Sequence, residues 1–175
     1  KNIVFIGEHE ALKRLVKINN DLNLRSLIIT SPTQAKSIDK DLDFKVFKKL
    51  DKTFINYISK KIDLKNTLFV SIKSRWIFNK YIINNFFKNK LINYHPARLP
   101  LYRGGAPESW RILNGDRIDC QLFHLVSTEI DSGPIVFSQT SLLPKNCTTP
   151  LDLKNYGSTK ITEFYESFIK ILKKK

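Results

Sequence analysis

The sequence predicts an α/β protein with a mainly parallel, twisted sheet flanked by helices, followed by a C-terminal β-hairpin and a long final helix. Three observations predict this class. Short apolar runs that suit buried parallel strands alternate with segments whose apolar residues recur at helical spacing. Two later apolar runs are joined by a polar turn, which is typical of a hairpin. The last segment keeps its apolar residues at helical spacing over nearly its whole length.

Strands and helices alternate through the first half of the chain. Residues 3–6 are apolar and end at Gly7, which indicates a buried strand entering a turn. Further strands are predicted at residues 24–30, 44–47, 67–71 and 90–94. Helical spacing predicts helices near residues 12–22, 54–62 and 77–87. This order is typical of a Rossmann-like sheet, in which ligands bind beyond the carboxyl ends of the strands.

The second half changes pattern. Residues 107–113 predict a short helix, and residues 120–126 and 135–141 predict the two strands of the hairpin. The final helix is expected to begin at Pro150, because Thr149 can cap it and proline suits the first helical position. We expect one catalytic domain over residues 1–175.

Composition excludes several classes of protein. Hydrophobic residues make up 42% of the chain, which favours a globular protein over a disordered one. The formal charge of +14 admits a nucleic-acid partner, but the lysines are scattered, so nucleic acid is less favoured. Cys120 and Cys147 have no metal-like spacing, so we expect no metal and a reducing, cytoplasmic location. No apolar run is long enough to span a membrane. The sequence leaves open whether the protein forms a homodimer.

The most informative segment is Asn93-Tyr94-His95-Pro96, at the end of a predicted strand. Side chains alternate along a strand, so Asn93 and His95 share a face. Pro96 biases His95 toward an extended backbone. An amide donor beside a titratable imidazole suits acyl transfer, since one group stabilises an oxyanion and the other moves a proton.

Other polar segments have simpler interpretations when taken alone. Asp131 with Gly133 is a common turn pattern between two strands. His124 is expected to be a packed strand residue and His9 a surface residue at a helix start.

Four segments together, in order and spacing, resemble the formyltransferase family that uses N10-formyltetrahydrofolate. They are Asn-x-His-Pro at 93–96, Leu-Pro-x-Tyr-Arg-Gly at 99–104, Leu-Asn-Gly-Asp at 113–116 and Ile-Asp-Ser-Gly-Pro-Ile at 130–135. The resemblance implies that Asn93, His95 and Asp131 are catalytic, with Asp131 favouring the charged form of His95. It implies folate contacts from Arg75, Trp76, Ile77, Phe78, Ser127, Glu129 and Ile130, and acceptor contacts from Tyr102, Arg103 and Gly104.

The resemblance implies a primary amine as the small-molecule acceptor and leaves its identity open. Family members that formylate glycinamide ribonucleotide have a phosphate loop where this chain has Gly7-Glu8-His9-Glu10, and two glutamates there oppose phosphate. Methionyl-tRNA formyltransferases carry a long basic insertion where residues 31–43 are short. The favoured acceptor is therefore a nucleotide-linked amino sugar. Glycinamide ribonucleotide and methionyl-tRNA remain alternatives, and hydrolysis of formyltetrahydrofolate is an alternative of another class.

Overall fold

The structure is a computed structural model that describes residues 1–174. The chain divides into two compact units, of which the first is Lys1–Asn93 and the second begins at Tyr94. Among residues 1–174, no helix is long and apolar enough to cross a membrane.

The first unit contains a parallel sheet with strand order β3-β2-β1-β4-β5. Its strands are β1 (Asn2–Gly7), β2 (Arg25–Thr30), β3 (Phe44–Val46), β4 (Thr67–Ile72) and the beginning of β5 (Leu91–His95). The central strand β1 is apolar from Ile3 to Ile6, and these residues are at most 1% exposed. Burial on both faces explains why this strand reads as a continuous apolar run. The predicted parallel sheet is confirmed.

The helices of this unit are α1 (Leu12–Asp21), α2 (Lys52–Lys61) and the short α3 (Lys80–Ile82), which continues as a π-helical turn over Ile83–Phe87. The predicted helix at 77–87 therefore begins three residues late. The side-chain oxygen of Asn79 accepts the N–H of Ile82 at 2.9 Å and caps the helix there. Trp76, Ile77 and Phe78 remain in the loop that follows β4.

The second unit has strand order β5-β6-β7, and β6 (Ile118–Leu125) pairs antiparallel with β7 (Ile135–Leu142). Its helices are α4 (Pro107–Leu113) and α5 (Pro150–Lys174). An aromatic cluster joins the hairpin to α5, in which Phe123 and Phe137 lie 4.8 and 5.7 Å from Phe168 between ring centroids. The predicted hairpin and final helix are confirmed.

Arg111 ties together the segments on either side of α4. It is 2% exposed, and its guanidinium donates to the carbonyl of Pro96 at 3.1 Å and to that of Ile118 at 2.9 Å. A buried carboxylate, Asp119, lies 3.5 Å from the same guanidinium. Because Pro96 follows the last residue of β5, these contacts fix the end of that strand.

The turn between β1 and α1 is tightly packed. Gly7 has a φ of 120°, and a Cβ there would lie 2.1 Å from the carbonyl oxygen of Ile72. His9 is 6% exposed and its Nδ1 accepts the N–H of Ala11 at 3.1 Å, so the expected surface position of His9 is wrong. Burial, reinforced by the positive charge of Lys73, lowers the pKa of His9 to about 4.

The lowered pKa of His9 makes the folded state sensitive to acid. The stabilisation is complete above the ordinary pKa of 6.5 and is lost as the pH falls toward about 4. It amounts to about 3 kcal/mol at most, since one pKa unit corresponds to about 1.4 kcal/mol. We expect His9→Asn, whose side-chain oxygen can accept the same N–H but does not titrate, to lose less unfolding free energy between neutral pH and about pH 4.5. Urea unfolding at the two pH values measures the difference, and equal losses in both proteins would contradict it.

Candidate active site

His95 lies at the end of β5 and is 5% exposed. Its Nε2 lies 2.7 Å from the carbonyl oxygen of Tyr102, and because a carbonyl only accepts, Nε2 carries the proton. Its Nδ1 lies 3.5 Å from Oδ2 of Asp131. Burial lowers the pKa of His95, and the nearby Asp131 carboxylate opposes this only in part. Asp131 favours the charged form of His95, as the resemblance implies, but burial outweighs this attraction, so His95 is neutral near pH 7.

Three groups surround the carboxylate of Asp131. The Gly104 N–H donates to Oδ2 at 2.9 Å, His124 Nε2 lies 3.2 Å from Oδ1, and His95 faces Oδ2. Burial alone would raise the pKa of Asp131, but the hydrogen bonds from His124 and Gly104 outweigh it and lower the pKa below its ordinary value. Asp131 is therefore ionised near neutral pH, beside a neutral imidazole.

His124 is the site residue that the sequence did not identify. It is packed in β6 at 2% exposure, as expected, but its ring also contacts Asp131. Nδ1 lies 2.9 Å from the carbonyl oxygen of Leu125, so one ring nitrogen faces a carbonyl and the other a carboxylate. Because a carboxylate oxygen only accepts, Nε2 is the nitrogen that donates to Asp131. The one feature of the sequence that could have indicated this role is the position of His124 near the end of the strand that leads into the Asp131 turn.

The predicted acceptor-binding loop approaches these residues through its main chain. Tyr102 is 5% exposed, and it is its carbonyl that meets His95. Gly104 has a φ of 80°, a left-handed conformation that favours glycine, and this turns its N–H toward Asp131. The side chain of Arg103, between them, is exposed.

The turn that contains Ser127, Glu129 and Ile130 is closed by its own hydroxyl groups. Ser127 and Ser132 both donate to the carbonyl of Glu129, at 3.0 and 3.1 Å. Ile130 in this turn is 62% exposed. Asp131 follows with a φ of 48°, which aspartate tolerates better than most residues.

The other predicted folate contacts lie in the first unit. Trp76, Ile77 and Phe78 line a groove of about 450 Å³ whose lining also includes Leu50, Asp51, Lys52, Ile55 and Tyr81. This volume lies in the range of about 300–1,000 Å³ that is common for small-molecule pockets. Ile77 is 85% exposed in this groove. Arg75 is exposed and is not part of the groove lining.

Asn93 is half-buried and is the last residue of the first unit. Its backbone pairs with Ser71 of β4, and it precedes His95 by two positions on the same strand. Among residues 1–174, no group of histidine, cysteine, aspartate and glutamate side chains is arranged to hold a metal ion.

Comparisons with known proteins agree on one family. A family model described as Formyl transferase matches residues 1–155. The methionyl-tRNA formyltransferase of Clostridium beijerinckii is 26% identical over 162 residues, which cover 85% of this chain and 52% of that protein. The chain spans about half the length of this curated relative, and only 26% of that from Mycoplasma genitalium.

Solved structures share the fold. Glycinamide ribonucleotide transformylase 1 from Geobacillus kaustophilus has a TM-score of 0.76 at 16% identity, covering 98% of this chain and 97% of that one. WlaRD, a sugar 3N-formyl transferase solved in the presence of dTDP and 5-N-formyl-THF, has a TM-score of 0.73 at 18% identity, covering 97% and 61%. At these identities the likeness shows the fold alone.

The contact between His124 and Asp131 predicts a change in titration. In His124→Ala the carboxylate loses a hydrogen bond but stays buried, so we expect the pKa of Asp131 to rise. His124→Gln, whose amide can donate to the same oxygen, should raise it less. Carboxyl ¹³C NMR titration measures the pKa, and His9→Asn in the other unit serves as the control. An unchanged Asp131 pKa in His124→Ala would contradict the assigned contact.

Proposed function

The chain belongs to the formyl transferase family, and we propose that it transfers a formyl group from N10-formyltetrahydrofolate to a primary amine. The observation that carries this proposal is the neutral His95 beside the ionised Asp131, following Asn93 on β5. Acyl transfer to an amine needs a base for the amine proton and a donor for the carbonyl oxygen. We also propose that residues 1–175 form one catalytic domain for this reaction and that the enzyme is cytoplasmic.

His95 and Asp131 would handle the proton. In the transfer, the amine nitrogen bonds to the formyl carbon, the bond from that carbon to N10 breaks, the amine loses a proton and N10 gains one. Nε2 of His95 already carries a proton, so Nδ1 is the nitrogen that can accept another. Asp131, 3.5 Å away, would stabilise the resulting imidazolium until the proton passes to N10. Such general acid–base help contributes about 10²–10⁴ in rate.

Asn93 would stabilise the formyl oxygen. Its amide is the neutral donor on the strand that carries His95, and strand alternation directs both side chains to one face. A donor aimed at a developing oxyanion is worth about 10²–10³ in rate.

The chain offers apolar surface suited to a folate. In the first unit, the lining of the groove with Trp76, Ile77 and Phe78 includes the apolar Leu50 and Ile55 and the charged Lys49, Asp51 and Lys52. In the second unit, Ile130 stands exposed on the turn beside Asp131. An aromatic ring system with an anionic tail would suit the apolar residues and the two lysines that line the groove of the first unit. We also propose that Arg75 and the turn residues Ser127 and Glu129 contact the folate.

We favour a nucleotide-linked amino sugar as the acceptor, and Tyr102, Arg103 and Gly104 as the residues that meet it. Glycinamide ribonucleotide needs a phosphate site, and the turn after β1 is a poor one. The N–H groups of Ala11 and Leu12, at the start of α1, already donate to Nδ1 and the carbonyl of His9 at 3.1 and 3.0 Å. The carboxylates of Glu8 and Glu10 add negative charge at this helix N-terminus.

Methionyl-tRNA is the second candidate acceptor. Its support is the activity named for the Clostridium beijerinckii relative, together with the net charge of +14. The connection between β2 and β3, residues 31–43, opposes it because its two lysines are outnumbered by three aspartates. In addition, Asp39 and Asp41 of this connection lie 3.1 and 2.6 Å from Lys13, so the segment is not a basic surface for nucleic acid.

The roles of the three catalytic residues predict graded losses of activity. We expect His95→Ala and Asp131→Asn to lower kcat/KM for formyl transfer by about 10²–10⁴, and Asn93→Ala by about 10²–10³. The assay follows formyl-folate consumption at neutral pH, with His9→Asn as a matched control that should retain activity. Circular dichroism checks that each variant is folded. Normal turnover by a folded His95→Ala protein would exclude the proposed proton transfer.

The acceptor is identified by offering several amines separately. The protein with N10-formyltetrahydrofolate receives a dTDP- or UDP-linked amino sugar, glycinamide ribonucleotide, methionyl-tRNA or no amine, and mass spectrometry detects the gain of a formyl group. We expect the nucleotide-linked amino sugar to be formylated. Formylation of methionyl-tRNA instead would select the second candidate. Formate release without an amine would identify a hydrolase.

A further inference from the structure

A polar cavity lies in the second unit, between the β6–β7 hairpin and α5. Its volume of about 360 Å³ falls in the range of about 300–1,000 Å³ that is common for small-molecule pockets. Phe164 is the one apolar residue of its lining, and the others are Asp119, Gln121, Gln139, Thr140, Ser141, Lys160 and Glu163. None of these residues takes part in the formyl transfer proposed above.

The floor of the cavity is a polar part of β6. The ring of Phe123 lies 4.9 Å from that of Phe164 on α5, whereas His124 faces the candidate active site. Side chains alternate along a strand, so Asp119 and Gln121 also face α5, on the side of β6 away from His124. They are 2% and 3% exposed. A helix normally packs on apolar side chains of a sheet, so a polar floor beneath α5 indicates a polar occupant.

The walls come from β7 and α5. Beyond a bulge at the start of β7, its pairing with β6 is regular. Gln139 then lies opposite Gln121, and Ser141 lies opposite Asp119. Oγ of Ser141 lies 3.4 Å from the hydroxyl oxygen of Tyr156 on α5, so this face of β7 is turned toward the helix. Gln139 and Ser141 are both exposed, so the cavity opens to solvent on this side.

The charged groups at the cavity neutralise one another. Asp119 lies 3.5 Å from the guanidinium of Arg111, and Glu163 lies 3.4 Å from the ammonium of Lys160. Each carboxylate therefore has its own cation, and the paired groups together carry no net charge. A charged ligand would lose its hydration here without meeting a net opposite charge. This arrangement favours a neutral ligand.

The amides at the cavity keep hydrogen-bonding capacity. The oxygen of Gln121 accepts the hydroxyl of Tyr94, and one of its N–H groups donates to Asp119 at 2.8 Å. An amide carries two N–H groups, and the second of Gln121 has no acceptor within the part of the chain that the structure describes. Gln139 adds two further N–H groups and an oxygen at the exposed wall. The cavity thus offers donors and acceptors together, which suits a ligand whose groups can do both.

We propose that the cavity binds a neutral sugar ring, with Gln121 at its floor and Gln139 at its wall bonding the hydroxyl groups. A hydroxyl both donates and accepts, and a sugar ring carries several of them without charge. The ring bound here is not the formyl acceptor, because Asp119 and Gln121 lie on the opposite side of β6 from His124. Binding at this cavity does not require formyl transfer.

Titration with sugars tests the assignment. The full chain, labelled with ¹⁵N, receives glucose, galactose or mannose, and the amide NMR shifts are followed. We expect at least one of these sugars to shift the amides of residues 139–141 and 160–164 saturably, with a dissociation constant in the millimolar range that suits a ligand of about 12 non-hydrogen atoms. Inorganic phosphate and ethanolammonium, which carry charge but no sugar ring, should leave these amides unchanged. An equal response to either ion would overturn the proposal.

Variants at the wall test the residues. Gln139→Ala removes one hydrogen-bonding group and should raise the dissociation constant about three- to tenfold, while Ser141→Trp should fill the cavity and abolish the saturable shifts. Ser138→Ala, also exposed on β7 but outside the lining, is the matched control and should bind as the native chain does.

His95→Ala should bind the sugar as well, so loss of formyl transfer and loss of sugar binding are separable. Unchanged affinity in Gln139→Ala or Ser141→Trp, shifts centred on His95 and Gly104 instead, or no shift with any of the three sugars would overturn the proposal.

Discussion

The carboxylate of Asp131 is the group on which the geometry of the second unit depends. It receives contacts from three separate segments, namely the end of β5 through His95, the end of β6 through His124, and the loop at Gly104. The residue itself has a φ of 48°, a conformation that persists only where surrounding contacts hold it. One ionised side chain thus links two imidazoles and a loop that belong to separate segments.

A buried polar network supports His95 from the opposite face of its strand. Tyr94 hydrogen-bonds to Gln121, which donates to Asp119 at 2.8 Å, and Asp119 pairs with Arg111. Burial raises the pKa of Tyr94, so its hydroxyl stays protonated and can donate. Because side chains alternate along β5, this network holds Tyr94 on one side while His95 faces Asp131 on the other. The end of the strand therefore has little freedom to move.

Opposite electrostatic conditions act on neighbouring residues of this site. Desolvation favours the neutral imidazole of His95, while directed hydrogen bonds favour the ionised carboxylate of Asp131. A neutral base next to an anion is ready to accept a proton and to hold it as an ion pair. A charged imidazole at rest would have no such capacity. The burial that keeps His95 neutral comes from tertiary packing, which the order of residues does not reveal.

The sequence by itself determined the fold class, the hairpin and the final helix, because apolar periodicity reflects which faces must be buried. It also determined that Asn93 and His95 lie two positions apart on one strand and share a face, because side-chain alternation along a strand is a local property. Tertiary structure alone decided that His9 is buried, that His124 contacts Asp131 and that His95 is neutral. Each of these depends on groups brought together from distant parts of the chain, and on the water that their packing excludes.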